Sequence, residues 1–200
     1  MDRKSFLKKA GLAVFSMSVV GKVMEASPGV FSSDCVTTND ILGPFYRKNA
    51  PERNDLRIEG VVGTEIKLTG EVYGDDCKTS LGNAKVEIWH CDTEGNYDND
   101  SSEFRHRCTI YTDDKGHYSA WTIIPGKYLN GRLYRPAHIH FRVSAPKHKE
   151  LISQVYFAGD PHIAEDPWAA QKKAQHRILP IFPKDINSDL AVKFDIFLSK

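Results

Sequence analysis

A chain of 200 residues, 40% apolar and 26% charged, has the length and composition of one globular domain with a core of useful size. Its formal net charge of +1 leaves no broad field to attract nucleic acid or an anionic membrane surface. No apolar run reaches the roughly 18 uninterrupted residues that would span a bilayer.

Along the chain, Arg3, Lys4, Lys8 and Lys9 form a basic head ahead of the apolar run Ala10 to Gly21, the order of an export signal. Asp2 to Lys8 also resembles a twin-arginine signal in which Lys4 replaces the second arginine. Cleavage near Ala26 would place the signal at 1–26, and the mature protein outside the cytoplasmic membrane, periplasmic or at the cell surface. The alternative is an amphipathic docking helix on a cytoplasmic protein. Left uncleaved, this segment would be the chain's contact with a membrane. Residues 27–40, polar and containing Gly, Ser and Pro, read as a linker to a domain over 41–200. Cys35, Cys77, Cys91 and Cys108 show no C-x-x-C spacing. Export would permit one or two disulfides, and buried free thiols are the equal alternative.

From Ile66 onward, short alternating runs recur: Ile66 to Tyr73, Ala84 to Trp89, Cys108 to Tyr111, Tyr118 to Ile123, Ala137 to Val143 and Ser153 to Phe157. Turn clusters rich in Gly and Asp separate them, among them Gly74-Asp75-Asp76 and Asp113-Asp114-Lys115-Gly116. The pattern predicts an all-β, single-domain β-sandwich with long loops around its site rather than a βαβ fold. A helical stretch over Asp166 to His176 is too short to change that class, and Val192 to Leu198 reads as a final strand.

His138 and His140 stand two apart on a predicted strand, so both imidazoles share a face, while Ala137, Ile139, Phe141 and Val143 share the other. Two such imidazoles can converge on a metal, although a solvated strand face carrying histidines gives the same pattern. No helical H-E-x-x-H site is present. Turn tyrosines are candidates for further ligands, although a loop tyrosine is more often a half-buried packing residue; two stand out, Tyr97 closing Gly95-Asn96-Tyr97 and Tyr128 closing Pro125-Gly126-Lys127-Tyr128.

Taken together these segments resemble a known family. Val86-Glu87-Ile88, six further residues and Gly95-Asn96-Tyr97 are similar to the signature of intradiol ring-cleavage dioxygenases, which include catechol 1,2- and protocatechuate 3,4-dioxygenases. The second-tyrosine turn, Arg135-Pro136-Ala137-His138-Ile139-His140-Phe141 and Gln154 follow in that family's order. The resemblance implies Fe(III) held by Tyr97 and His140 as equatorial ligands and by Tyr128 and His138 as axial ones. It implies that Tyr128 serves as a base, and that Arg135, with Gln154 beside it, stabilises charge on the substrate. It implies that Pro44, Phe45 and Tyr46 line the substrate entrance. The reaction implied is oxidative opening of a catechol-type ring between its hydroxyls by O2, giving a muconate-type diacid. Hard phenolate ligands suit a hard ferric ion. Leu129-Asn130 replaces the tryptophan of the protocatechuate branch, and the helical dimerisation segment of catechol 1,2-dioxygenases is missing, so the particular catechol and any homo-oligomer stay open. A transthyretin-like binding module without catalysis and a zinc hydrolase on the same ligands are the alternatives. His90, His162 and His176 read as ordinary strand or surface residues, and Asp92, Asp98 and Asp100 complete no calcium loop.

Overall fold

The computed structural model describes residues 35–183 and 190–200. The expected signal over 1–26 and the linker up to residue 34 lie outside the described residues.

Alternation builds the first sheet. In β1 (Glu65–Tyr73) every second side chain is buried, and β4 (His117–Ile123) pairs antiparallel along one of its edges. Its other edge takes β11 (Leu190–Lys193) and β12 (Ile196–Phe197), both parallel, and β10 (Phe182–Pro183) extends β11. The expected final strand is thus broken at Phe194 and Asp195, for a local reason. The Phe194 carbonyl turns to accept the Tyr118 hydroxyl at 2.6 Å, and the Asp195 carboxylate accepts the Glu71 N–H at 3.0 Å. A Cβ on Gly70 would lie 1.9 Å from the Phe194 oxygen, so only glycine lets the break pass.

The second sheet runs in the order β3 (Arg107–Tyr111), β2 (Lys85–Trp89), β7 (His138–Ser144), β8 (Leu151–Phe157), β9 (Ile178–Leu179). Between the sheets lies one core. Ile66, Leu68, Val72 and Ala120 from the first sheet join Ile88, Ile139, Phe141, Val143 and Val155 from the second, all at 2% exposure or less. Each large side chain buried this way contributes roughly 1.5–3 kcal/mol relative to exposure. A hairpin of β5 (Tyr128–Asn130) and β6 (Leu133–Arg135) completes the β-sandwich.

The stretch expected to be helical over Asp166 to His176 is instead a turn followed by a 3-10 helix at Lys172–Arg177. The Asp166 carboxylate accepts the N–H groups of Trp168 and Ala169 at 3.0 and 2.7 Å, as at a helix start, but one turn follows, closed by Ala170 N–H on the Asp166 carbonyl at 3.1 Å, before Gln171 turns extended at ψ 143°.

Residues 35–40 are bonded to the body of the domain. Cys35 is disulfide-linked to Cys77, while Cys91 and Cys108 are buried free thiols. Thr37 N–H donates to the Phe197 carbonyl at 3.0 Å and Asp40 N–H to that of Ile152 at 2.8 Å. Together with residues 41–46, which include the aromatic loop at 43–46, residues 35–40 form a strap over residues 35–46.

Candidate metal centre

Because Ile139, Phe141 and Val143 enter the core, His138 and His140 are turned to the opposite face of β7, and both are buried. Tyr97 follows a turn held by Asp92, whose carboxylate accepts the N–H groups of Glu94 at 2.9 Å and Asn96 at 2.8 Å. Two glycines bring this turn against the one before Tyr128. A Cβ on Gly95 (φ 89°) would sit 2.4 Å from the Lys127 oxygen, and one on Gly126 would sit 2.3 Å from that of Thr93. The Gly-Asn-Tyr and Pro-Gly-Lys-Tyr motifs are therefore two halves of one close backbone contact that sets the tyrosine rings 5.7 Å apart.

The donors converge. The Tyr97 hydroxyl lies 3.1 Å from His140 Nε2 and 3.3 Å from His138 Nε2, and the Tyr128 ring is 5.7 Å from that of His138. His138 Nδ1 faces the Pro136 carbonyl at 2.7 Å, and a carbonyl only accepts, so Nδ1 carries the proton and Nε2 a bare lone pair. His140 Nδ1 is buried without a protein partner. One phenolic proton cannot satisfy two imidazole nitrogens. With either tautomer of His140, a buried nitrogen is left unpaired, an arrangement that is costly unless a cation gathers the lone pairs.

Electrostatics agree with that count. Burial, with Arg135 adding to it, lowers the His138 pKa to about 4; burial and then His138 hold His140 well below the usual imidazole value. Both rings are therefore neutral at pH 7. Burial pushes the Tyr97 phenol far above its usual range, so its anion needs a cation at contact distance. Two phenols and two imidazoles form a hard, partly anionic donor set that fits a ferric ion. Among the described residues no three His, Cys, Asp or Glu side chains cluster as a metal site. The tyrosines supply half of the donors here.

Arg135 ends β6 directly across the ladder from Tyr128, and its guanidinium is buried. Its Nε donates to Asp166 at 2.8 Å and its Nη2 to Gln154 Oε1 at 3.1 Å, whereas Nη1 has no protein partner. Gln154 donates in turn to the Ile41 carbonyl at 2.7 Å, so it stands behind Arg135 and ties it to the strap. Phe45 stacks on Tyr97 at 4.2 Å and meets Tyr128 edge-on at 5.9 Å, roofing the donors. Pro44 is exposed. Tyr46 is not at the donors: it packs on Trp89, its hydroxyl donates to Glu87 at 3.0 Å and it accepts from Arg142. His90 lies outside the centre, held by the Cys91 carbonyl and Thr122 hydroxyl at 2.7 and 2.6 Å.

Several contributors carried no signal in the sequence. Trp89 stacks on His140 at 4.7 Å, directly opposite it in the β2–β7 register. Arg107, 1% exposed, donates to the Phe45 carbonyl at 2.6 Å and, from Nε, to that of Asp98 at 2.9 Å, fastening the aromatic loop to the Tyr97 loop. Burial, then the neighbouring Arg47, lowers its pKa to about 10, which still leaves it charged. Strand pairing or loop packing creates each of these contacts, so short-range spacing does not reveal them.

Comparison with known proteins follows the same lines. The model of a family described as "Dioxygenase" matches residues 41–200. A catechol 1,2-dioxygenase of Pseudomonas sp. strain EST1001 is 36% identical over 151 residues, covering 65% of this chain and 50% of that protein. Among solved structures, a catechol 1,2-dioxygenase from Acinetobacter sp. ADP1 superposes with a TM-score of 0.72 at 30% identity, covering 84% of this chain and 64% of that one. The dioxygenase domain of a dioxygenase–carbohydrate-binding fusion from Streptomyces sp. SirexAA-E gives 0.71 at 26% identity, covering 82% of this chain and 98% of that one. The chain spans about half the length of the curated catechol dioxygenases it matches.

Proposed function

This chain belongs to the intradiol ring-cleavage dioxygenase family, and on that premise we propose that it opens a catechol-type ring between its two hydroxyls, using O2 and giving a muconate-type diacid. The observation that carries this reading is the meeting of the Tyr97 oxygen with two imidazole nitrogens at 3.1 and 3.3 Å beside Tyr128. Tyr97, Tyr128, His138 and His140 would hold Fe(III). When bound, the iron would supply the redox-active centre that makes the catechol ring reactive toward O2.

The remaining work falls to the chain's own groups. Arg135 Nη1, buried and unpaired by protein, offers its N–H groups to negative charge on a substrate oxygen, where a dry site makes the interaction strong. The oxygen of Tyr128, a half-buried residue at the start of an exposed hairpin strand, takes a substrate proton. Phe45 and Trp89 keep water from the donors, and Phe45 offers a flat apolar wall to a planar ring. A binding module would have no use for this donor set beside an unpaired buried guanidinium.

One set of measurements tests the reading. Iron-loaded protein should be coloured by tyrosinate-to-iron charge transfer and should consume one O2 per catechol. Chelation should abolish both signals. Tyr97→Phe keeps ring volume but loses a donor, so its band should weaken and turnover fall by at least about a hundredfold. Coloured, iron-loaded protein that consumes no O2 with catechol, chlorocatechol or hydroxyquinol would overturn the assignment.

Export is the proposed location. The Cys35–Cys77 disulfide supports it, because such bonds persist in oxidising compartments. Fractionation with N-terminal sequencing decides it: protein starting at Met1 in the cytoplasm would refute export and leave the chemistry untouched.

A further inference from the structure

We propose that Asp166 and Trp168 are positioning residues for Arg135, and that by occupying one side and one face of its guanidinium they reserve Nη1 for the substrate. The inference rests on the proposed role of Arg135 as the group that meets substrate charge.

Arg135 is 2% exposed and Asp166 is 1% exposed. Asp166 Oδ2 accepts from Nε at 2.8 Å and Oδ1 from Nη2 at 3.4 Å, a two-pronged contact along one edge of the planar group. Nη2 is further engaged by Gln154 Oε1 at 3.1 Å and the Tyr156 hydroxyl at 3.2 Å. The Trp168 ring lies 4.4 Å from Cζ, covering one face. Every direction of Nε and Nη2 is thus taken by protein, and Nη1 alone is left buried and unpaired.

The holder is itself held. Asp166 Oδ1 also accepts the Trp168 and Ala169 N–H groups at 3.0 and 2.7 Å, so one turn fixes both the carboxylate and the stacked indole. A guanidinium has five donors in a rigid fork, and fixing two nitrogens fixes the direction of the third. Removing the carboxylate would leave a buried charge short of its partner and free to turn toward another acceptor. Nη1 would then no longer point where the substrate needs it.

A double-mutant cycle tests this on the iron-loaded full chain with catechol, measuring kcat, KM, iron content and the visible band. Asp166→Asn keeps the shape and removes the charge. We expect kcat/KM to fall at least about tenfold with iron content and colour unchanged. In an Arg135→Gln background, the same substitution should cost less than about twofold, because its effect runs through Arg135. Trp168→Leu should follow the same pattern, and it decides the question if Asp166→Asn does not fold. Equal losses in both backgrounds, falling in step with iron content, would make Asp166 merely structural and overturn the proposal. A wild-type rate for Asp166→Asn, with Arg135→Gln inactive, would overturn this inference alone. A wild-type rate for Arg135→Gln would overturn it together with the assigned role of Arg135.

Discussion

Single side chains at this centre are legible from their hydrogen-bond arithmetic, and the same arithmetic applies to a histidine outside it. His90 Nδ1–H donates to the Cys91 carbonyl and its Nε2 accepts from the Thr122 hydroxyl, so the neutral ring is fully satisfied. Burial, then His106 stacked 5.0 Å away, lowers its pKa to about 3. In the unfolded chain a histidine titrates near 6.5. Between those values the unfolded chain binds a proton that the folded chain refuses, so stability falls as pH falls. The contribution of His90 is complete above about pH 6.5 and declines toward pH 3 by about 1.4 kcal/mol per pH unit. His106, lowered chiefly by burial, acts in the same direction. Urea midpoints measured from pH 7 to pH 4.5 should decline for the wild type and more shallowly for His90→Gln. The sequence marked His90 only as a strand residue, because its partners Thr122 and His106 are brought to it by folding.

Elements decide which residues become a site. Tyr128 and Arg135 are seven positions apart in sequence yet face each other across the β5–β6 ladder. The H-x-H strand and both tyrosine turns were readable because strand alternation and glycine turns are local rules. Asp166, Trp168 and Arg107 were not, since Arg135 and Asp166 lie 31 residues apart and only the turn after β8 joins them. The expected helix stops after one turn because Gln171 is extended, although Asp166 caps that turn as it would a helix start. The close contact of the two tyrosine turns, at Gly95 and Gly126, gives a prediction. Gly126→Ala puts a Cβ 2.3 Å from the Thr93 oxygen, so the two tyrosine turns must part. Stability should fall by roughly 1–3 kcal/mol, as for other overpacked sites. The charge-transfer band of the iron-loaded variant should weaken beyond what that loss explains; an unchanged band would separate the glycine contact from the donor set.

On the scale of the molecule, the strap over residues 35–46 is fastened at several points. The disulfide holds its start, and Asp40 forms a buried ion pair with Arg177 at 2.6 Å. Asp40 also accepts from the Tyr156 hydroxyl at 2.9 Å, which places the strap in the same network as Gln154 and Arg135. The Cys35–Cys77 bond closes a loop of 42 residues, which constrains the unfolded chain by roughly 2–4 kcal/mol. Cys35→Ser with Cys77→Ser should therefore lower the melting temperature by several degrees. Iron content and kcat at 25 °C should hold near wild type, since the Asp40–Arg177 pair still fixes the strap beside the site. A collapse of kcat at a temperature where the variant remains folded would show that the disulfide, not the ion pair, carries that task.

The parallel docking of β11 and β12 on β1 bears on how the chain first acquires its shape. Glu71 N–H waits for an acceptor 124 positions later, and the Thr37 hydroxyl for a donor 160 positions later. Such distant pairing gives a high contact order, and topologies of that kind fold in milliseconds to seconds rather than microseconds. On a translating ribosome, β1 keeps an open edge until residues 190–197 have emerged, and an open edge of alternating apolar residues is an invitation to pair with another chain. That edge of β1 is therefore most vulnerable just before β11 and β12 emerge.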